Sequence, residues 1–204
     1  RAYALAHGIA STNNLSTIPN GILPPDLSRH STDRTRLRAD WGIPENTRLI
    51  GSIGRLSTQK DPQLFIEVVA RRAKRYTAQE EMYVMGGTGE LENEVRSLIA
   101  NRGLEDRIML IGFRTDVDAV LSSLDVYVLH SRYEGMPLIV LEAMGHALPI
   151  VATKVSGVAE PLQEGGILVE LGNPAALDDA LDRLIDPDVR KMMGKSNRTR
   201  LEAY

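Results

Sequence analysis

Short apolar runs recur along the whole chain with little polar alternation inside them. Leu15–Ile18, Leu49–Ile53, Met82–Met85, Ile108–Ile111, Val126–Leu129, Ile150–Ala152 and Ile167–Val169 are brief, rich in β-branched residues and mostly closed by Gly, Pro or Asn. A strand that is apolar on both faces must be covered on both faces, which is the situation of a parallel strand between two helix layers. Amphipathic segments lie between the runs. Asp61–Tyr76 repeats Leu64, Phe65, Val68, Val69 and Ala73 at helical spacing behind Pro62, and Glu90–Asn101 carries Leu91, Val95, Leu98 and Ile99 before Gly103. Pro137–Gly145 and Pro174–Ile185 each open on a proline, a residue suited to the first helical position. This alternation predicts an α/β fold with a Rossmann-like doubly wound parallel sheet. In such sheets ligands bind beyond the carboxyl ends of the strands. Pro24–Asp33 is the most polar, turn-rich stretch and predicts a surface loop. With neither linker nor repeat, one domain is expected over residues 1–204.

Composition removes several functions. The chain has no cysteine, so disulfides, thiolate metal sites and cysteine nucleophiles are excluded. Its 24 basic and 27 acidic residues give a net charge of −3, which argues against a phosphate-neutralising face and a nucleic-acid partner. No apolar run approaches the roughly 18 residues of a membrane span. A signal peptide is lacking, so the expected compartment is the cytoplasm. The chain opens on Arg1 rather than methionine, and a fragment of a longer protein is therefore expected.

Three patches that follow strands carry chemistry. In Gly51-Ser-Ile-Gly54-Arg55, continuing to Lys60, glycines permit close backbone approach and two cations on one loop can grip a pyrophosphate; a plain strand-end turn with solvated cations is the competing reading. Gly86-Gly87-Thr88-Gly89 lacks the six-residue glycine spacing of a dinucleotide fingerprint and reads first as a tight turn. The most informative patch is Ser131-Arg-Tyr-Glu134-Gly-Met-Pro137-Leu-Ile-Val-Leu-Glu142-Ala-Met144. Pro137 at a helix start leaves backbone N–H groups free for an anion. Glu142, inside an apolar helix, needs partners such as paired ribose hydroxyls, unless it lies on a polar surface stripe.

The run from Glu134 to Met144 resembles the E-x7-E signature of retaining GT-B glycosyltransferases, family four in particular. Ile18-Pro-Asn-Gly21-Ile22, Gly54-Arg-Leu-x-x-x-Lys60, Val84–Glu90, Ile111-Gly-Phe113 and Ser156-Gly-Val-Ala-Glu160 are similar, in order, to the family's other elements. The resemblance spans about residues 15 to 185 and implies the C-terminal, donor-binding domain of a GT-B fold. It implies that Arg55 and Lys60 clamp the diphosphate and that Glu134 faces the transferred sugar or its phosphate. Glu142 would hold the ribose, and Gly135, Met136, Pro137 and Leu138 would offer backbone N–H groups. Phe113 and Arg114 would lie beside the base, with Gly21, Gly54, Gly86, Gly87 and Gly89 giving backbone room. The implied substrate is a nucleoside-diphosphate sugar, a UDP-sugar slightly ahead of a GDP-sugar, with no cofactor and no metal. A hexose would pass to a glycan or lipid-linked acceptor held by an N-terminal acceptor domain of the same protein. The isolated domain would bind donor and transfer nothing. A non-catalytic nucleotide-sugar-binding module and a GT-B-shaped epimerase are the alternatives.

Several positions depart from the family pattern. Gly87 stands where Asp is frequent, Ser156 replaces the first glycine of G-G, and Ala147 replaces a turn glycine. Asp116-Val-Asp118 has the D-x-D spacing of a metal motif, yet helix capping and first-turn acidity account for it. Arg71, Arg72, Lys74 and Arg75 read first as solvated cations at a helix C-terminus; peripheral contact with the inner face of an anionic membrane is their second reading. His7 and His30 lie in polar surroundings, while His130 falls beside the expected donor site in a structural role.

Overall fold

The protein's computed structural model describes residues 5–9, 11, 13–16, 18 and 20–202. Six strands, β1 (Arg48–Ile53), β2 (Glu81–Gly86), β3 (Ile108–Gly112), β4 (Val126–Leu129), β5 (Ile150–Thr153) and β6 (Gly166–Val169), pair entirely in parallel in the order β3-β2-β1-β4-β5-β6. The helices are α1 (His30–Asp40), α2 (Pro62–Arg72), α3 (Glu92–Asn101), α4 (Val117–Ser123), α5 (Leu138–Gly145), α6 (Ala159–Leu162), α7 (Pro174–Asp182) and α8 (Pro187–Leu201), with 3-10 turns at Leu27–Arg29 and Gln163–Gly165. This is the expected doubly wound sheet. Its order reverses between β1 and β4, and that reversal opens the crevice in which such sheets bind ligands.

The continuous apolarity of the strands is used on both faces. Ile50, Val126, Val128 and Val151 pack with Phe65, Val68, Val69, Val95, Ile99, Leu177 and Leu181 on one side. Their neighbours Leu49, Tyr127, Leu129, Ile150 and Ala152 pack with Val140, Leu141, Met144 and Leu162 on the other. Each fully buried side chain of this size contributes roughly 1.5–3 kcal/mol, so the sheet is held mainly by this two-sided burial.

Three expectations need correction. The run Leu15–Ile18 forms no strand among its described residues; Thr17 lies outside them, as does Pro19 of the following turn. Ile18 is exposed, so the run has no layer to bury against. The expected loop Pro24–Asp33 instead enters a 3-10 turn and the start of α1. α1 is polar and docks through charge: Arg34 pairs with Asp125 at 3.0 Å, and buried Arg38 donates to the Ser123 carbonyl at 2.8 Å and reaches Asp125 at 3.3 Å. Asp125 also accepts from the Leu49 N–H at 2.7 Å, which ties the helix to the start of β1.

In the basic cluster Arg72 is not solvated, and the exposed Arg71 and Arg75 are ion-paired. Arg72 is fully buried and grips Glu81 with two hydrogen bonds of 2.6 and 2.9 Å, and Asp178 and Asp182 at 2.8 Å each. Arg71 reaches Asp178 at 3.3 Å and Arg75 reaches Asp182 at 2.7 Å. Tyr76 lies under the Arg72 guanidinium, 4.8 Å from ring centre to Cζ. The cluster therefore clasps α2 to α7 and β2, with Lys74 alone of the four cations lacking an ion pair among the described residues. His30, expected in polar surroundings, lies half-buried near Asp33 and Arg34 and stacks on His146 at 5.9 Å.

Candidate functional site

The loops after β1 and β4 leave neighbouring strands side by side and are stitched together. Arg132 N–H donates to the Gln59 carbonyl at 2.8 Å, and the Gln59 amide donates to the Tyr133 carbonyl at 3.0 Å. The Arg132 guanidinium holds Asp61 at 3.0 Å. Asp61 adopts a left-handed backbone, φ 50°, immediately before Pro62, a strained conformation for a residue with a Cβ. That kink ends the loop and starts α2, and it brings Lys60 back over the crevice. There the Lys60 ammonium donates to Glu134 Oε1 at 2.6 Å, and the Ser131 hydroxyl donates to the same oxygen at 2.6 Å.

His130 fastens the arrangement from beneath. It is buried, stacks on Phe65 at 5.2 Å and contacts the Lys60 carbonyl through Nδ1. A carbonyl can only accept, so Nδ1 carries the proton and Nε2 accepts from the Ser52 hydroxyl at 2.8 Å. Burial pushes its pKa down to about 4, so the ring is neutral at ordinary pH.

The β2 loop is sewn to the β1 loop by Gly54 N–H to Gly86 O at 2.9 Å, Leu56 N–H to Thr88 O at 3.0 Å and Leu91 N–H to Leu56 O at 3.0 Å. Gly87, at φ 124°, has no room for a side chain, because a Cβ would stand 1.9 Å from the Gly54 carbonyl oxygen. Its departure from the family's frequent Asp is thus a steric requirement of this loop. Together these loops wall a cavity of about 380 Å³ lined by Ile53, Gly54, Arg55, Gly87, Thr88, Phe113, Arg114 and Val117. Arg55 is exposed there and makes no ion pair among the described residues. Phe113 turns an open ring to the cavity rim, 74% exposed, and Gly112 before it is left-handed at φ 64°.

Arg114 binds Asp116 with two hydrogen bonds of 2.7 and 2.6 Å, so the Asp116 side chain makes no helix cap, contrary to expectation. Asp118 pairs with His146 at 2.9 Å. The two D-x-D carboxylates therefore serve separate partners. On α5 the proline stands one position earlier than expected, at the N-cap, and Leu138 is the first helical residue. Gly135 and Met136 form the approach, with the Met136 carbonyl accepting from Asn20 at 2.9 Å. The Glu142 carboxylate is half-buried and engages no hydrogen bond or ion pair among the described residues; burial and then the nearby Asp118 charge hold its pKa above the ordinary value.

Tyr127, fully buried, donates its hydroxyl to the Ile53 carbonyl at 3.2 Å, and burial, with the charges of Glu134 and Glu142 adding to it, holds its pKa above the ordinary value. It, Ser52 and Thr153, whose hydroxyl donates to the Ser131 carbonyl at 2.6 Å, support the site without a signal of their own in the sequence, whereas Ser131 opens the patch that holds both glutamates. The chemistry on offer is one free cation, one shared cation, a helix N-terminus, an open aromatic ring and an unengaged carboxylate.

The family model described as glycosyl transferases group 1 matches residues 33–200. The chain is 30% identical over 194 residues to the UDP-Gal:alpha-D-GlcNAc-diphosphoundecaprenol alpha-1,3-galactosyltransferase of Escherichia coli, covering 92% of this chain and 49% of that protein. It thus spans about half the length of the curated relatives it matches. Among solved structures, the C-terminal domain of the glycosyl transferase group 1 family protein LpcC from Francisella tularensis is 28% identical, with a TM-score of 0.73 over 83% of this chain and 91% of that one. Anabaena HepE, solved in complex with UDP and glucose, shares the fold with a TM-score of 0.85 at 22% identity, over 98% of this chain and 55% of that one.

Proposed function

Because the chain belongs to the glycosyl transferases group 1 family, we propose that it is the nucleotide-sugar-binding, C-terminal part of a retaining, metal-independent hexosyltransferase. The acceptor-binding domain would lie in the same protein outside residues 1–204, and the acceptor would be a glycan or a lipid-linked sugar. A UDP-sugar is favoured, since relatives and fold neighbours are named for or solved with UDP compounds. The observation that carries the reading is the Lys60–Glu134 pair, with Arg55 and Lys60 lining one pocket, where the sheet order reverses.

Transfer breaks the bond from the sugar C1 to the β-phosphate oxygen and forms a bond from the acceptor oxygen to C1 on the same face. The acceptor's proton passes to the leaving diphosphate, so no side-chain base is required. Negative charge grows on that diphosphate, and Arg55, Lys60 and the N-terminus of α5 supply fixed positive potential where it grows. Glu142 would accept the ribose hydroxyls and Phe113 and Arg114 would flank the base. Calorimetric titration with UDP, GDP and ADP tests the reading: one of them binds, and binding persists in EDTA. Failure of all three to bind refutes it. Retention is read from the product anomer by NMR with the whole enzyme.

A further inference from the structure

Lys60 has two claimants. In the structure its ammonium is held by Glu134, whose side chain is only 7% exposed, and Oε1 of that carboxylate takes both Lys60 and the buried Ser131 hydroxyl. The backbones around the pair are pinned to each other by Gln59, Arg132 and Asp61, and Ser131 is pinned in turn by Thr153. Glu134 therefore cannot leave the crevice when a phosphate arrives. A diphosphate that draws Lys60 away removes the carboxylate's counter-charge and sets a second anion beside it, leaving Ser131 as its one remaining donor.

Resting on the donor-binding reading above, we propose that Glu134 is the resident anion of the diphosphate site and shares Lys60 with the ligand. This sharing makes the site prefer an intact nucleotide sugar to the nucleoside diphosphate left after transfer. An intact donor brings sugar hydroxyls that replace the hydrogen bond Glu134 gives up. The spent diphosphate brings a further ionisable oxygen, hence more negative charge, and nothing for Glu134 to accept. Discrimination against product, and hence its release, is built into the pair rather than into a moving element.

The test is calorimetric titration of the chain with UDP and with UDP-glucose, or GDP and GDP-mannose if uridine compounds do not bind. Glu134→Gln keeps the shape and the Ser131 hydrogen bond but removes the charge. It should tighten UDP by about tenfold and change UDP-glucose much less, so that the preference for the sugar form collapses. In a Lys60→Met background the gain from Glu134→Gln should vanish, since there is no cation left to release. Far-UV circular dichroism confirms that each variant is folded. Unchanged or weaker UDP binding by Glu134→Gln overturns the proposal, as does a gain that persists without Lys60. Absence of any nucleotide binding by the unaltered chain overturns the donor-binding reading itself and this inference with it.

Discussion

His130 couples the stability of the fold to pH through a group that touches the candidate site. Its imidazole is buried between β1 and β4, and burial lowers its pKa from an ordinary 6.5 to about 4. A histidine with a lowered folded pKa binds its proton more readily in the unfolded chain. Its contribution to stability is therefore complete above about pH 6.5 and is lost as pH falls toward 4. The whole gap corresponds to about 3 kcal/mol, and about 2 kcal/mol of it should be gone by pH 5.0.

His130→Gln removes the titration while retaining hydrogen-bonding atoms near Ser52 and the Lys60 carbonyl. The variant should be less stable at pH 7.5 because it forfeits the stacking on Phe65. Urea unfolding followed by the fluorescence of Trp41, the sole tryptophan, measures both proteins at pH 7.5 and 5.0. Contributions from the other titratable groups are common to both and cancel in the difference. The stability gap between the two proteins should shrink by about 2 kcal/mol over that range. Parallel pH profiles would refute the neutral, buried assignment of His130 and with it the tautomer that links Ser52 to the Lys60 turn.

Three further outcomes follow from packing. Arg72→Met takes from Glu81 and Asp178 their one fully buried cationic partner, leaving Arg48 on the first and Arg71 and Arg75 on the second, and urea unfolding at pH 7.5 should show a loss of about 3 kcal/mol. Its guanidinium works against burial, yet the hydrogen bonds and charges of Glu81, Asp182 and Asp178 hold its pKa above the ordinary value, so the charge persists throughout the accessible pH range. Ala147 sits at φ 54°, where its Cβ is strained; Ala147→Gly should raise stability by about 0.5 kcal/mol, the relief being partly offset by the freer unfolded chain. Gly157, at φ 76°, would drive a Cβ to within 1.1 Å of the Gly135 carbonyl oxygen, whereas a Cβ on Gly135 meets nothing within 4 Å. Gly157→Ala should therefore weaken UDP binding about tenfold by displacing the Glu134 loop, while Gly135→Ala leaves the urea midpoint nearly unchanged.

The elements legible in the sequence are those whose burial follows a local period. Six of the seven apolar runs became strands, and α2, α3, α5 and α7 begin within two residues of their expected starts. The longer missed helices, α1 and α8, are fixed by polar anchors. α1 relies on Arg34 and Arg38 reaching Asp125, and α8 on Asn197 donating to Leu148 O at 2.7 Å and Arg200 donating to Pro161 O at 2.7 Å. Such helices have a weak apolar stripe, so periodicity passes over them. The Arg71–Arg75 cluster was misread for the same reason, because Asp178 and Asp182 lie about a hundred residues downstream and only the folded chain brings them back. Leu15–Ile18 errs in the opposite direction, having strand composition without a neighbouring strand.

The candidate site depends on a single fact of topology that no spacing rule contains. Lys60 and Glu134 are 74 residues apart and meet because β4 lies directly beside β1, with Ile50 opposite Val126. Adjacent strands are about 4.8 Å apart, so their loops emerge within reach of one lysine side chain. One intervening strand would roughly double that separation, beyond the span of the pair. The eight-residue spacing of the glutamates acquires meaning only after this placement. Glu134 stays in the loop, where it can answer to Lys60, and Glu142 is the fifth residue of α5, about 6 Å along its axis from Leu138. One carboxylate is therefore engaged by a cation before any ligand arrives, and the other is half-buried with nothing to bind. That asymmetry makes the two glutamates separable by experiment: charge removal at Glu134 releases Lys60, whereas charge removal at Glu142 relieves a desolvated carboxylate and takes an acceptor from the ligand.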